Sequence, residues 1–192
     1  MVEPELPEDL KTCVAFHGHL CPGVVIGYCA AKLGMKKLSA DRAGDEELIA
    51  IVENDSCAVD AVQVLTGCTF GKGNLFFRDH GKMVFTVAIR GSGRSVRLYL
   101  KPWPEKPADE PQIPPEQRRR ARIEQMLASG PTELFDVREN ALSRLPAAAR
   151  IRESHPCDVC GEVVMMTRLK KLDGQPMCLP CRRERKRKGQ TR

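Results

Sequence analysis

The chain has 192 residues, enough for one ordinary core plus a small module, or for two small domains. Hydrophobic residues at 42% and charged residues at 29% describe a soluble globular composition, without any apolar run near the roughly 18–20 residues of a membrane helix. The net charge of +6 is local: seven basic residues after Cys181, against Glu184, account for all of it, so the body is balanced and carries no chain-wide nucleic-acid footprint.

In chain order, Met1-Val2-Glu3-Pro4-Glu5-Leu6-Pro7 is acidic and proline-broken, unlike a signal peptide, and a cytoplasmic location is expected. Glu8 to Phe16 suits a short helix. After His17-Gly18-His19-Leu20-Cys21, Pro22 suits the first position of a second helix, because its missing N–H would be unpaired there anyway. Val24, Val25, Ile26, Tyr28, Cys29, Ala30 and Leu33 fill that helix, and Gly34 is expected to end it. Leu48 to Val52 is continuously apolar, as a buried strand is. Glu53-Asn54-Asp55-Ser56 then leads to Cys57 and a third helix through Leu65, capped by Asp55 or Ser56 and closed by Gly67. Met83 to Ile89 and Val96 to Leu100 read as strands joined by the Gly91-Ser92-Gly93 turn.

These segments make a mixed helix and strand domain over residues 1–100. Lys101 to Pro115 holds six of the fourteen prolines and reads as a linker or extended arm, followed by a charged helix from Glu116 to Ser129. Together they form a connecting region over 101–150. Such a segment is poorly suited to burying itself alone, so a homodimer is expected, with the arm or helix packing on the partner. Residues 151–192 form a cysteine module with a basic tail.

Nine cysteines are many for a reducing compartment, and their odd number leaves any full disulfide framework incomplete. Metal ligation and reactive thiols are therefore favoured. Cys157-x2-Cys160, seventeen residues, then Cys178-x2-Cys181 has the spacing of a four-cysteine zinc site. Each pair turns tightly enough to share one ion, and four thiolates fill a tetrahedron with no open position. The site is structural, and so small a segment would draw most of its folding energy from the metal.

The second constellation is less closed. His17, His19 and Cys21 alternate immediately before a helix, and Cys57 also stands at a helix start. Helix dipoles and free N–H groups there favour thiolates. The group reads as a mixed His/Cys metal site or a reactive thiol, with buried structural side chains as the alternative. Cys13 and Cys29 fall on apolar helical positions and read as core, whereas Cys68, between Gly67 and Thr69, is ambiguous. Gly71-Lys72-Gly73-Asn74 departs from the P-loop pattern and reads as a turn rather than an anion cradle.

The stretches Phe16-His17-Gly18-His19-Leu20-Cys21-Pro22-Gly23 and Glu53-Asn54-Asp55-Ser56-Cys57-Ala58-Val59-Asp60-Ala61-Val62-Gln63 resemble the two signatures of the FmdE family, named for a component of formylmethanofuran dehydrogenase. Leu65 to Leu75 continues the second, and the resemblance spans about Pro7 to Leu100. It implies an α+β, thioredoxin-like core with a mixed sheet flanked by helices, usually dimeric, and in some members an appended treble-clef zinc finger. It also implies an active site at His17, His19, Cys21 and Cys57, with Cys68 less certain. His19, Cys21 and Cys57 would there hold a second zinc or another transition metal.

The same resemblance implies an accessory role beside the molybdenum or tungsten subunits of an oxidoreductase in one-carbon metabolism, since this chain is too small to hold a pterin centre itself. The competing reading is a zinc-finger module whose basic tail contacts nucleic acid or a protein partner. The balanced body disfavours nucleic acid.

Overall fold

The computed structural model describes residues 6–103 and 114–189. They fall into two compact units, Met1–Ala149 and Arg150–Arg192.

In the first unit, helices α1 (Glu8–His17) and α2 (Pro22–Leu38) precede strand β1 (Leu48–Val52) and helix α3 (Ala58–Thr66). Strands β2 (Leu75–Phe77), β3 (Val84–Ile89) and β4 (Ser95–Leu100) follow, then α4 (Pro115–Ala128), the single turn α5 (Pro131–Leu134) and β5 (Phe135–Glu139). The five strands form one sheet in the order β2-β1-β3-β4-β5. β1 is parallel to β2 and antiparallel to β3, so the sheet is mixed. Every residue of β1 is buried, as its unbroken apolar run requires of a strand covered on both faces.

Alternation along β1 divides the core. Leu48, Ala50 and Val52 join residues of α2, α3 and α4 in the main cluster. Ile49 and Ile51 face the other way, onto Ala88, Leu142 and Leu145. The helices thus cover one face, where α1, α2 and α3 add a second small cluster of Leu10, Cys13, Cys21, Val24 and Ala61, and the loop after β5 covers the other.

Two sequence expectations need correction. α2 does not end at Gly34 but continues to Leu38, with Ser39 taking the left-handed cap. Gly34 is needed for close packing instead: a Cβ there would come within 3.0 Å of Val87 and 3.3 Å of Leu98. The domain boundary also moves. The first unit does not stop at residue 100, because β5 pairs antiparallel with β4 from Leu100↔Phe135 to Val96↔Glu139. The charged helix α4 buries Ile123 and Met126 in its own chain's main core. Arg122 lies over the Trp103 ring at 4.4 Å, a cation–π contact that ties this helix to the end of the sheet. Most of the proline-rich arm, residues 104–113, lies outside the described residues.

The second unit is a knuckle, two hairpins and a helix. β6 (Ser154–Pro156) pairs with β7 (Val163–Met165), and β8 (Lys170–Leu172) with β9 (Gln175–Met177), before α6 (Leu179–Gly189). Its core is small: Cys157, Met177 and Cys178 are buried, with Val164, Leu169 and Leu172 packed partly against them.

Candidate metal centres

The four cysteine sulfurs of the second unit all lie within 4.8 Å of one another. Cys157 and Cys160 flank the turn between β6 and β7, while Cys178 and Cys181 stand between β9 and the first turn of α6. Backbone N–H groups aim at the sulfurs: Cys178 N–H donates to Cys157 Sγ at 3.3 Å, and Cys181 N–H to Cys178 Sγ at 3.5 Å. Donation from the backbone of Cys160, Cys178 and Val159 holds the Cys157 thiol down at about 6. Cys181 is pushed up to about 12, first by its hydrogen bond with Cys178. One thiolate therefore forms readily, whereas Cys160 and Cys181 resist ionising. A cation that replaces their protons removes that conflict, so this donor set fits a thiophilic metal.

The first unit assembles a smaller group. His17, Cys21 and Cys57 each offer a ligand atom within 4.8 Å of the others. His17 closes α1, and Gly18 at φ 99° turns the chain sharply after it. Cys21 is the N-cap of α2, where its sulfur accepts the Val24 N–H at 3.4 Å. Cys57 caps α3 without a side-chain cap bond of its own. Two glycines bring these starts together. A Cβ on Gly23 would stand 2.8 Å from the Cys57 Cβ, and one on Gly27 would overlap the Ala58 carbonyl. Only glycine permits this approach of α2 to α3.

Asp60, one turn into α3, accepts from His17 Nδ1 at 2.7 Å, while His17 Nε2 faces Cys21 Sγ at 3.8 Å. A carboxylate on one imidazole nitrogen fixes the tautomer and leaves the other nitrogen's lone pair free for a metal. Sequence reasoning did not assign Asp60. Its signal was the three-residue spacing from Cys57, which places both on one helix face. Arg119 of α4 donates to the Leu20 carbonyl at 3.0 Å and so braces the loop that carries Cys21.

The other expected site residues go elsewhere. His19 is exposed and lies tilted against His17, ring centroids 4.6 Å apart, outside the ligand cluster. Cys68 is fully buried in the main core, and burial pushes its thiol up. Cys13 and Cys29 are also buried, both raised to about 11. The Cys57 thiol departs from the helix-start expectation. Burial first, then the neighbouring Cys21, raises it, outweighing any lowering by the short helix. Lys72 donates to the Ala43 and Gly44 carbonyls, and Asn74 accepts the Thr69 N–H, so the 71–74 run is a turn.

The cluster opens on a cleft of about 400 Å³ between the carboxyl ends of β1 and β2 and the start of α3. Crevices at strand carboxyl ends are where open sheets with parallel pairs commonly bind ligands.

These features define an α+β protein with two sulfur-rich centres, one closed and one facing a cleft. The family described as "FmdE, Molybdenum formylmethanofuran dehydrogenase operon" matches residues 16–136. The chain belongs to the FmdE family. It is similar to the crystal structure of a tungsten formylmethanofuran dehydrogenase FmdE-like protein from Syntrophus aciditrophicus, with 27% identity and a TM-score of 0.67. That match covers 91% of this chain and 90% of the other. It is also 32% identical to a protein of Archaeoglobus fulgidus described as a probable S-adenosyl-L-methionine-binding protein. There 93% of this chain aligns, spanning 54% of the longer relative. No helix among the described residues is long and apolar enough to cross a membrane.

Proposed function

We propose that the protein is a metal-binding accessory subunit, or a stand-alone relative of one, serving a molybdenum or tungsten formylmethanofuran dehydrogenase. The observation that carries this reading is the His17–Cys21–Cys57 cluster, with Asp60 behind the histidine and a cleft in front. Two sulfurs and one imidazole suit zinc or another borderline-soft transition metal, and three protein ligands leave a coordination position for a ligand. The four-cysteine module, read as a treble clef, holds a structural zinc and serves for docking. Dimerisation follows the family's habit.

Metal analysis of anaerobically purified protein tests this. Two zinc ions per chain are expected, falling to one in Cys21→Ser. Metal content unchanged by that substitution would remove the N-terminal site.

The Archaeoglobus relative supports a second reading for the same cleft, S-adenosylmethionine as ligand, because acidic Asp55 and Asp60 beside Phe70 and Phe77 suit a sulfonium carrying a purine. A calorimetric titration without heat would remove it. The basic helix α6 keeps alive a nucleic-acid role, although Lys188 pairs with Glu184 and Arg185 folds back on Gln175. Steep salt dependence of DNA binding would support that role, and its absence would exclude it.

A further inference from the structure

We infer that the cleft in front of the His17 cluster selects its ligand by charge and shape: it takes a planar ring compound that is cationic or neutral, and refuses carboxylate and phosphate anions. The inference rests on the proposed reading that this cleft is the ligand site, and it deepens that reading.

The first observation is aromatic. In the first unit, Phe16, Phe70, Phe77 and Tyr99 are the large hydrophobic side chains left exposed among the described residues. Phe70, at 65% exposure, and Phe77, at 41%, both line the cleft. Two of the chain's six phenylalanines thus stand bare at this cleft while Phe85 and Phe135 are buried. Phenyl faces left in water at a cleft mouth are surfaces for stacking a flat ring or holding a cation over the ring face.

The second observation is electrostatic and independent of the first. The described residues lining the cleft include Asp55 and Asp60 but no lysine or arginine. His17 is the only lining side chain able to carry a positive charge, and Asp60 already faces its Nδ1 at 2.7 Å. A phosphate or carboxylate would find no cation to pair with and would be repelled by both aspartates. In the metal-free chain the two aspartates therefore set the field at the cleft.

Lining polar groups are mostly committed elsewhere. Asn54 donates to the Lys82 carbonyl and accepts from Ser56, and Gln63 donates to Asp60. Asp55, exposed at the mouth, is therefore the group that most directly reads charge.

Three probes built on one ring separate charge from shape: cationic 1-methylnicotinamide, neutral nicotinamide and anionic nicotinate, titrated into the full chain. The cation should bind at least about tenfold more tightly than the anion, with the neutral ring between. The preference should shrink with salt, as for a partly exposed charge. Phe70→Ala and Phe77→Ala should each weaken the cation about tenfold. Because both rings are already exposed, neither change threatens the fold. Asp55→Asn should narrow the cation-to-anion ratio while leaving the neutral probe unchanged. Equal or tighter nicotinate binding, no binding of the cation at millimolar concentration, or indifference to both phenylalanine variants would each overturn the inference. Measuring metal in the same samples keeps the two readings apart. Probe binding to metal-free protein judges the cleft alone, and loss of zinc in Cys21→Ser judges the metal centre alone.

Discussion

His17 Nδ1 and Asp60 Oδ2 lie 2.7 Å apart although 43 positions separate them in the chain. The contact joins the end of α1 to the first turn of α3 and points the other imidazole nitrogen at Cys21. An ionised carboxylate can only accept, so the proton of a neutral His17 resides on Nδ1 and Nε2 keeps its lone pair. That arrangement prepares a metal ligand without any metal being needed to impose it.

Removing the carboxylate should therefore cost affinity more than stability. Asp60→Ala is expected to weaken zinc binding in the first unit by about 10–100-fold, the usual range for an outer-shell partner of a ligating histidine. A competition titration with a coloured chelator measures it. Affinity equal to the parent protein would mean that His17 is not a ligand.

The close approach of α2 to α3 gives a sharper structural test. A Cβ on Gly27 would overlap the backbone of Ala58, which cannot rotate aside as a side chain can. Gly27→Ala should destabilise the first unit by about 3 kcal/mol, at the upper end for overpacking, and loosen the His17–Cys57 cluster with it. Urea unfolding within about 0.5 kcal/mol of the parent, the range of an inconsequential surface change, would contradict this contact.

Much of this fold was legible because its elements announce themselves locally. Pro22 at a helix start, the apolar run Leu48–Val52 and the Val96-Leu98-Leu100 alternation each carry a short-range signal. β2 and β5 were missed for the opposite reason. Three residues of β2 are too few to show a period, and β5 becomes a strand by completing β4 across a long connection. Gly34 looked like a stop, but its role is set by Val87 and Leu98, which sequence does not place beside it. That Cys157, Cys160, Cys178 and Cys181 come together could be read from spacing alone, because each pair is separated by only two residues. The first centre was half legible. Alternation suggested that His17, His19 and Cys21 converge, as in a strand. The left-handed turn at Gly18 instead joins His17 with Cys21 and leaves His19 outside the ligand cluster.

A pH test falls on the opposite face of the sheet. Glu53 is buried at the end of β1, within 3.1 Å of His80 Nδ1 and 3.2 Å of an Arg97 nitrogen. Burial alone would raise its carboxyl, but the His80 hydrogen bond and the Arg97 charge outweigh it and hold it below the usual glutamate range. A carboxyl lowered in the folded state stabilises fully above its unfolded value and loses that contribution as pH falls through the folded one. Glu53→Gln should therefore lower stability at neutral pH, and the gap to the parent should close in the acid range below the ordinary glutamate value. A gap that stays constant from about pH 7 to about pH 3 would show that the Glu53 charge contributes nothing.

The two metal centres should part company under chelation. In the second unit four sulfurs lie close together and a small core of Met177 and Cys178 depends on them, so losing the ion should unfold this unit. In the first unit three ligands face a cleft, and the surrounding sheet and helices are held by an extensive apolar core of their own. Mild chelation should accordingly remove the N-terminal ion first and leave both folds intact, with the second ion following only at higher chelator strength and with local unfolding. Thiol labelling of the stripped protein provides the residue-level check. Half-buried Cys57 should react well before Cys13 and Cys29, whose thiols are fully or nearly fully buried and raised to about 11. Cys178→Ser combined with Cys181→Ser should abolish the tightly held equivalent while the first unit keeps its unfolding transition. Release of all metal in one step together with global unfolding would collapse the distinction between a closed and an open centre. So would labelling of Cys57 no faster than of Cys29.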